Sequence, residues 1–170
     1  NHKNMTFDLL TMFLASLIPF VFSFIWYNPK LFGGENWVKI AGLTEKQAAN
    51  PPKPLLMLST IIFNFMIATV LYQLCVHQSG IYSLVGNNID SVASGTAAAF
   101  LAEYATNFLT FKHGALHGVL TAIFFVVPIL MYIVIFEQKS AKYFWVAFGF
   151  WAISLGLMGG VICRWGTQMV

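Results

Sequence analysis

The sequence predicts an all-α membrane protein, a four-transmembrane-helix bundle with an outer amphipathic helix before the third crossing. Four apolar runs without an interior charge are each about as long as the roughly 20 residues that a helix needs to cross a bilayer. Charged residues make up only 9% of the chain and the mean hydropathy is +0.73, whereas charged residues are about 25% of a typical soluble domain. We therefore expect a single integral membrane domain over residues 1–170, in contact with the lipid bilayer.

The predicted transmembrane helices cover residues 7–27, 54–77, 114–136 and 143–163. The first run has one charge, Asp8, at its start. Because this run lacks a small-x-small cleavage site, we expect a retained helix rather than a signal peptide. The net charge of +3 is small and scattered along the chain, which argues against a nucleic-acid partner.

The distribution of basic residues predicts the orientation. With four crossings, residues 28–53 and 137–142 share one side of the membrane. The positive-inside rule places that side in the cytoplasm and both termini outside. Six lysines lie on the predicted inner side (Lys30, Lys39, Lys46, Lys53, Lys139, Lys142) and three basic residues on the other (Lys3, Lys112, Arg164).

The first connection, residues 28–53, is predicted to be a cytoplasmic segment lying on the membrane interface. Asn36 is a candidate cap for a short helix over residues 37–41, which Gly42 would end. Thr44 and Gln47 form a capping-box pattern for a further turn. A docking surface for a soluble partner is the alternative. Aromatic residues near the run ends are expected to anchor the chain at the headgroups: Trp26, Tyr27, Trp37, Tyr143, Trp145 and Trp165.

After turn signals at residues 79–80, 86–88 and 94–95, the second connection contains an amphipathic stripe. Residues 97–112 place apolar side chains at helical spacing on one face and polar side chains on the other. We expect this helix to lie along the outer face and to bend at Gly114 into the third crossing. One long fused helix is the alternative.

Histidines provide the candidate ligands. His113 and His117 are four residues apart, so they share a helix face and can reach one ion. His77 closes the second crossing on the same side of the membrane. Asp90 and Glu103 are also predicted to lie on this side. Imidazole suits zinc, copper, iron or nickel, and two histidines from different helices would also suit a bis-histidine haem. Ordinary interfacial histidines, with no cofactor, are the competing interpretation.

Polar and small residues inside the runs predict packing. Asn64 lies near the middle of the second crossing and should find an interhelical hydrogen bond. Ala152, Gly156 and Gly160 form small-xxx-small steps on the last helix, which favour close packing against the same bundle or against a second copy. Cys75 and Cys163 reach similar depth, and we expect buried thiols rather than a disulfide. Pro19 and Pro128 are expected to kink their helices.

Segments along nearly the whole chain, including the hairpin of residues 136–140 and the helix of residues 154–160, resemble a known family. The opening Ile25-Trp26-Tyr27-Asn28-Pro29-Lys30-Leu31-Phe32-Gly33, followed by Trp37 and by Gly42-Leu43-Thr44, resembles the signature of small four-helix inner-membrane proteins of unknown function from bacteria. The segment Thr110–Gly118 is similar to the version in Bacteroidetes-type bacteria. This resemblance implies four transmembrane helices and a bacterial inner membrane, and it carries no activity. Its signature residues here are Trp26, Tyr27, Pro29, Phe32, Gly33 and Trp37.

The functional expectations follow from these features. No nucleophile elbow, phosphate loop, H-E-x-x-H or carboxylate pair is present, so we expect a protein that is not an enzyme. A structural or accessory membrane subunit, associating with itself or with a larger membrane complex, is the leading hypothesis. A small oligomeric transporter or channel is the second. The third is a metal- or haem-binding protein that uses His77, His113 and His117.

Overall fold

A computed structural model of the chain describes residues 5–28, 30, 37–50, 52–85 and 95–169. It contains four helices long and apolar enough to cross a membrane, Leu9–Trp26, Pro54–Cys75, Phe111–Phe136 and Ala141–Trp165. The predicted all-α, four-helix fold class is confirmed. In chain order the elements are β1 (Met5–Phe7), α1 (Leu9–Trp26), α2 (Trp37–Ala41), α3 (Glu45–Ala48), α4 (Pro54–Cys75), α5 (Ser79–Leu84), α6 (Gly95–Tyr104), α7 (Phe111–Thr121), a π-helical turn (Ala122–Val126), α8 (Val127–Phe136), α9 (Ala141–Trp165) and β2 (Thr167–Met169).

Side-chain caps define where three of the crossings begin. The Asp8 carboxylate, the one charge in the first predicted run, accepts hydrogen bonds from the backbone N–H groups of Leu10 and Thr11 at 3.0 and 3.2 Å. Thr110 caps α7 and Ser140 caps α9 in the same way. Each cap satisfies N–H groups that the helix itself leaves without a partner.

The last helix is the centre of the bundle. In the apolar 18-residue stretch of α9, 61% of the residues are buried. The corresponding values are 22%, 22% and 11% for the first, second and third crossings. The other crossings surround α9 and present broad apolar faces outward. The core lies towards one end, which we call the terminus face because β1, β2 and the described residues 76–85 and 95–110 lie there. Its members come from α1, α4, the π-helical turn and α9: Met12, Ala15, Ala68, Leu71, Tyr72, Cys75, Val76, Ala122, Leu155, Met158, Ile162 and Cys163.

A short antiparallel ribbon, absent from the predictions, joins the two chain ends. β1 pairs with β2 in a register that sets Phe7 opposite Thr167. The N–H of Asp8 donates to the carbonyl of Gly166 at 2.9 Å, and the hydroxyl groups of Tyr72 and Thr167 are 3.1 Å apart. The ribbon thereby ties α1 and α9 to α4 at the terminus face.

The described residues 37–50 of the first connection contain the two short helices that the sequence predicted. Thr44 and Gln47 form the capping box of α3. Gly42, at φ +69°, follows the end of α2. The Lys139 ammonium donates to the carbonyl of Ala41 at 3.1 Å, so a cation sits at the C-terminus of α2, where the helix dipole favours it. The predicted cap Asn36 lies outside the described residues.

The second connection departs from the prediction. Helix α6 ends at Tyr104 rather than at residue 112, and α7 begins at Phe111. Between them, Phe108 adopts φ +63°, a left-handed conformation that stops a helix. The predicted bend at Gly114 is therefore wrong, since Gly114 lies inside α7. Asp90 and the turns at residues 86–88 and Ser94 lie outside the described residues.

The prolines affect their helices differently. Pro128 is the second residue of α8 and directly follows the π-helical turn Ala122–Val126. Because proline has no N–H, it cannot continue the ladder of hydrogen bonds, and the wider turn before it accommodates the change. Pro19 is buried within the continuous helix α1.

Candidate metal site

Three imidazoles from two crossings meet at the terminus face. His113 and His117 lie one turn apart on α7, and His77 lies in the turn just after α4. One ring nitrogen from each can be chosen so that all three lie within 4.8 Å of one another. The Nε2 atoms of His77 and His113 are 3.0 Å apart and share a hydrogen bond. The structure thus brings together the three histidines that the sequence singled out.

One of these separations is close to that between two ligands of a small ion. Two nitrogen ligands on a tetrahedral zinc ion lie ~3.3 Å apart when each bond is about 2.05 Å. The Nε2 pair at 3.0 Å is already near that value, and the third imidazole stands with its centroid 4.5 Å from that of His113 and 5.0 Å from that of His77. His77 is exposed and the other two are half-buried, so the cluster is open on the side of His77.

Glycines next to the histidines hold α7 in place. Gly114 and Gly118 are buried against α9, and a Cβ at either would overlap its backbone, at Gly159 and Leu155 respectively. Small residues permit such close approach of two helices in a membrane. Because each glycine follows a histidine, the seam between α7 and α9 fixes the direction of both imidazoles.

The predicted small-residue face of α9 packs within the chain. Gly160 lies against the Phe111 ring, and a Cβ added to this glycine would lie only 2.5 Å from that ring. Gly156 lies against Val119 and Ala115, and Ala152 is half-buried beside the core. The tightest contacts involve Gly114, Gly118 and Gly159, for which the sequence predicted no packing role. The G-x-x-x-G spacing of residues 114–118 is the signal that could have identified two of them.

Two free, buried cysteines lie beneath the cluster. The Cys163 thiol donates to the carbonyls of Phe108 at 3.3 Å and Cys75 at 3.6 Å. The Cys75 thiol donates to the carbonyl of Gly114 at 3.7 Å. The Phe108 ring in turn packs on His113, with centroids 5.2 Å apart. The thiols therefore bind the backbone that carries the site.

Gln78 shapes a cavity beside the cluster. Its buried carboxamide donates to the carbonyls of Tyr104 at 3.0 Å and Asn107 at 2.8 Å, while its Oε1 atom has no partner within the described chain. A cavity of about 270 Å³ opens between these groups and His77.

Glu103, which the sequence placed on the same side as the histidines, lies outside the three-histidine cluster. Its hydrogen bond to Tyr104 raises the pKa of that phenol.

The polar residue of the second crossing lies inside the bundle. Asn64 is 5% exposed, and its interhelical hydrogen bond stays a prediction. The hydroxyls of Ser16, Ser23, Thr60 and Thr69 donate to carbonyls three residues earlier in their own helices. These groups are satisfied locally.

The described signature residues, Trp26, Tyr27 and Trp37, lie at the opposite end of the bundle. The Trp26 indole donates to the carbonyl of Val146 at 3.0 Å, and its ring lies over Gly149 of α9. Tyr27 packs on Trp37 with centroids 4.5 Å apart, and burial raises its pKa. These aromatic residues bind helices to one another as well as facing the interface. Pro29, Phe32 and Gly33 lie outside the described residues.

Comparison with known proteins places the chain in a family that has no assigned activity. No curated protein and no solved structure gives a significant match to this chain. Residues 10–163 match the family described as "Protein of unknown function (DUF1761)". This range contains all three histidines and most of each crossing. The chain therefore belongs to the DUF1761 family of proteins of unknown function.

Proposed function

We propose that this chain is a membrane protein that binds a divalent transition-metal ion, best suited to zinc, through His77, His113 and His117. The observation that supports the proposal is the convergence of three imidazole nitrogens within 4.8 Å, from the end of α4 and from α7, two helices that both pack on α9. Neutral imidazole is a good ligand for zinc, and three protein ligands leave a fourth position open.

The geometry favours a single ion over haem. In a bis-histidine haem, the two imidazoles occupy opposite faces of a wide planar ring. Here the Nε2 atoms of His77 and His113 are 3.0 Å apart, and the third imidazole lies beside the same two, so the three converge on one point. This arrangement suits one small ion.

We propose a binding role rather than catalysis. The described group of ligating side chains consists of three histidines without a carboxylate, so it supplies ligands for an ion but not the general base that a zinc protease of the H-E-x-x-H kind uses. The role we propose is capture or relay of the ion at the membrane surface. Because the small-residue face of α9 is covered by α7, it supports packing within the chain rather than association between copies.

We further propose a bacterial inner membrane with both termini outside the cytoplasm. Support comes from the family resemblance and from the lysines. The ends of the crossings place Lys39, Lys46, Lys139 and Lys142 on the face opposite the termini, where the positive-inside rule favours the cytoplasm. The histidine cluster would then face the periplasm or its equivalent.

Metal analysis of protein purified without a polyhistidine tag tests the binding proposal. We expect one zinc ion per chain, with X-ray absorption showing nitrogen ligands at about 2.0 Å. Replacing His77, His113 or His117 by alanine should each lower zinc affinity by more than about 100-fold. Leu116→Ala is the matched control, because Leu116 lies on α7 between the two histidines and is 55% exposed.

The control variant should bind zinc as the parent does. Equal zinc affinity in the parent and in a triple alanine variant would overturn the proposal. So would a loss of affinity in Leu116→Ala as large as that in His117→Ala, since the effect would then report the helix and not the ligand.

A further inference from the structure

The cavity of about 270 Å³ beside the histidines shares its wall with the cluster. His77 lines the cavity and belongs to the cluster. Phe108 also lines it and packs its ring on His113. A molecule in this cavity would therefore lie beside His77, one of the proposed ligands of the ion.

The walls are aromatic and uncharged. Phe100, Tyr104 and Phe108 line the cavity together with Ile81. None of the described lining residues carries an acidic or basic side chain apart from the imidazole of His77. Such walls offer apolar contact to a flat ring and no counter-charge to an ionic group.

The hydrogen bonds of Gln78 hold the wall of the cavity in place. By donating to the carbonyls of Tyr104 and Asn107, it fixes the turn that forms the far wall. Its Oε1 atom, in a residue only 6% exposed, has no partner within the described chain. Buried acceptors of this kind usually accept a hydrogen bond from a ligand or from ordered water. The free Oε1 atom therefore indicates, in addition to the aromatic walls, that a molecule binds in the cavity.

We propose that this cavity binds a small neutral aromatic molecule that carries a metal-coordinating nitrogen or oxygen, as the exchangeable fourth ligand of the ion. The inference rests on the proposed metal site and adds the chemical class of what that site recognises. The coordinating atom lies on the ion, and the ring lies between Phe100, Phe108 and Ile81. Ring burial then supplies the selectivity.

Imidazole and benzimidazole test the inference, because both coordinate through a ring nitrogen and only the second carries a fused apolar ring. Cobalt(II)-loaded protein serves as the probe, since its visible bands report a new fourth ligand. We compare the ratio of benzimidazole to imidazole affinity in the parent, in Ile81→Trp, which fills the cavity, and in Leu84→Trp. Leu84 is on the same short helix, is 88% exposed and does not line the cavity.

Filling the cavity should lower the affinity ratio by about tenfold, the value expected for about 55 Å² of buried ring at about 25 cal/mol per Å². The Leu84→Trp ratio should equal that of the parent, and cobalt affinity should be the same in all three. An unchanged ratio in Ile81→Trp, or an equal fall in Leu84→Trp, would overturn the cavity assignment alone. Failure of the parent to bind zinc or cobalt would overturn both proposals.

Discussion

Substituting Gly118 by alanine should separate α7 from α9. The added Cβ would overlap the backbone of Leu155 and Gly156, and backbone in the middle of a packed helix cannot move aside as a flexible side chain can. Overpacking of this kind costs about 1–3 kcal/mol. For a chain of this size, about 2–4 °C of melting temperature is lost per kcal/mol, so we expect a fall of about 2–12 °C.

Gly156→Ala is the matched control on the facing helix. Its added Cβ would lie 3.3 Å from the Cγ2 atom of Val119 and 3.7 Å from the carbonyl of Ala115, which is close to ordinary contact. We expect less than about 1 kcal/mol of destabilisation there, because a side-chain methyl group can shift by a few tenths of an ångström.

Thermal unfolding in one detergent, with zinc titration of each variant, measures both effects. Gly118→Ala should also weaken zinc binding, since the displaced helix carries His113 and His117. The reasoning fails if Gly118→Ala melts with the parent, or if Gly156→Ala is the less stable of the two. It also fails if Gly118→Ala loses stability and yet binds zinc unchanged.

Three further predictions concern other parts of the fold. Phe108→Gly should be more stable than Phe108→Ala by about 1 kcal/mol in chemical unfolding, because glycine adopts φ +63° without strain; equal stabilities would contradict this. Trp26→Phe should cost about 0.5–1.5 kcal/mol through loss of the hydrogen bond to Val146, whereas Trp145→Phe, at a residue 65% exposed, should change the melting temperature little. Alkaline phosphatase, which is active only outside the cytoplasm, should be active when fused after residue 169 and inactive when fused at Lys139; the reverse pattern would invert the proposed orientation.

Features fixed by local chemistry could be predicted from the sequence. Uncharged runs of about 20 residues have one stable arrangement in hydrocarbon, because only a helix satisfies its own backbone there. The Thr44–Gln47 capping box and the helical spacing of His113 and His117 depend on residues within one or two turns of each other. Such short-range relations do not depend on how the helices pack against one another.

Features that depend on contact between crossings could not be predicted in the same way. The sequence placed His77 on the correct face, but its approach to α7 depends on how closely α7 packs on α9. The bend assigned to Gly114 was wrong because the apolar stripe of residues 97–112 continues up to the crossing without a break in period. Thr110, three residues before His113, is an N-cap signal that would have located the boundary.

The glycine seam connects packing to ligand geometry. Helix α7 exposes its His113–His117 face towards His77 only because Gly114 and Gly118, one position further along, are held against α9. An ion bound by all three histidines would join the end of α4 to α7, the pair of crossings that the seam itself does not connect. Ligand binding adds stability in proportion to the logarithm of ion concentration over Kd, about 2.7 kcal/mol at a hundredfold excess. That gain is comparable with the cost expected for Gly118→Ala, so an ion that binds only the packed arrangement of α4, α7 and α9 would offset the loss of stability in this variant.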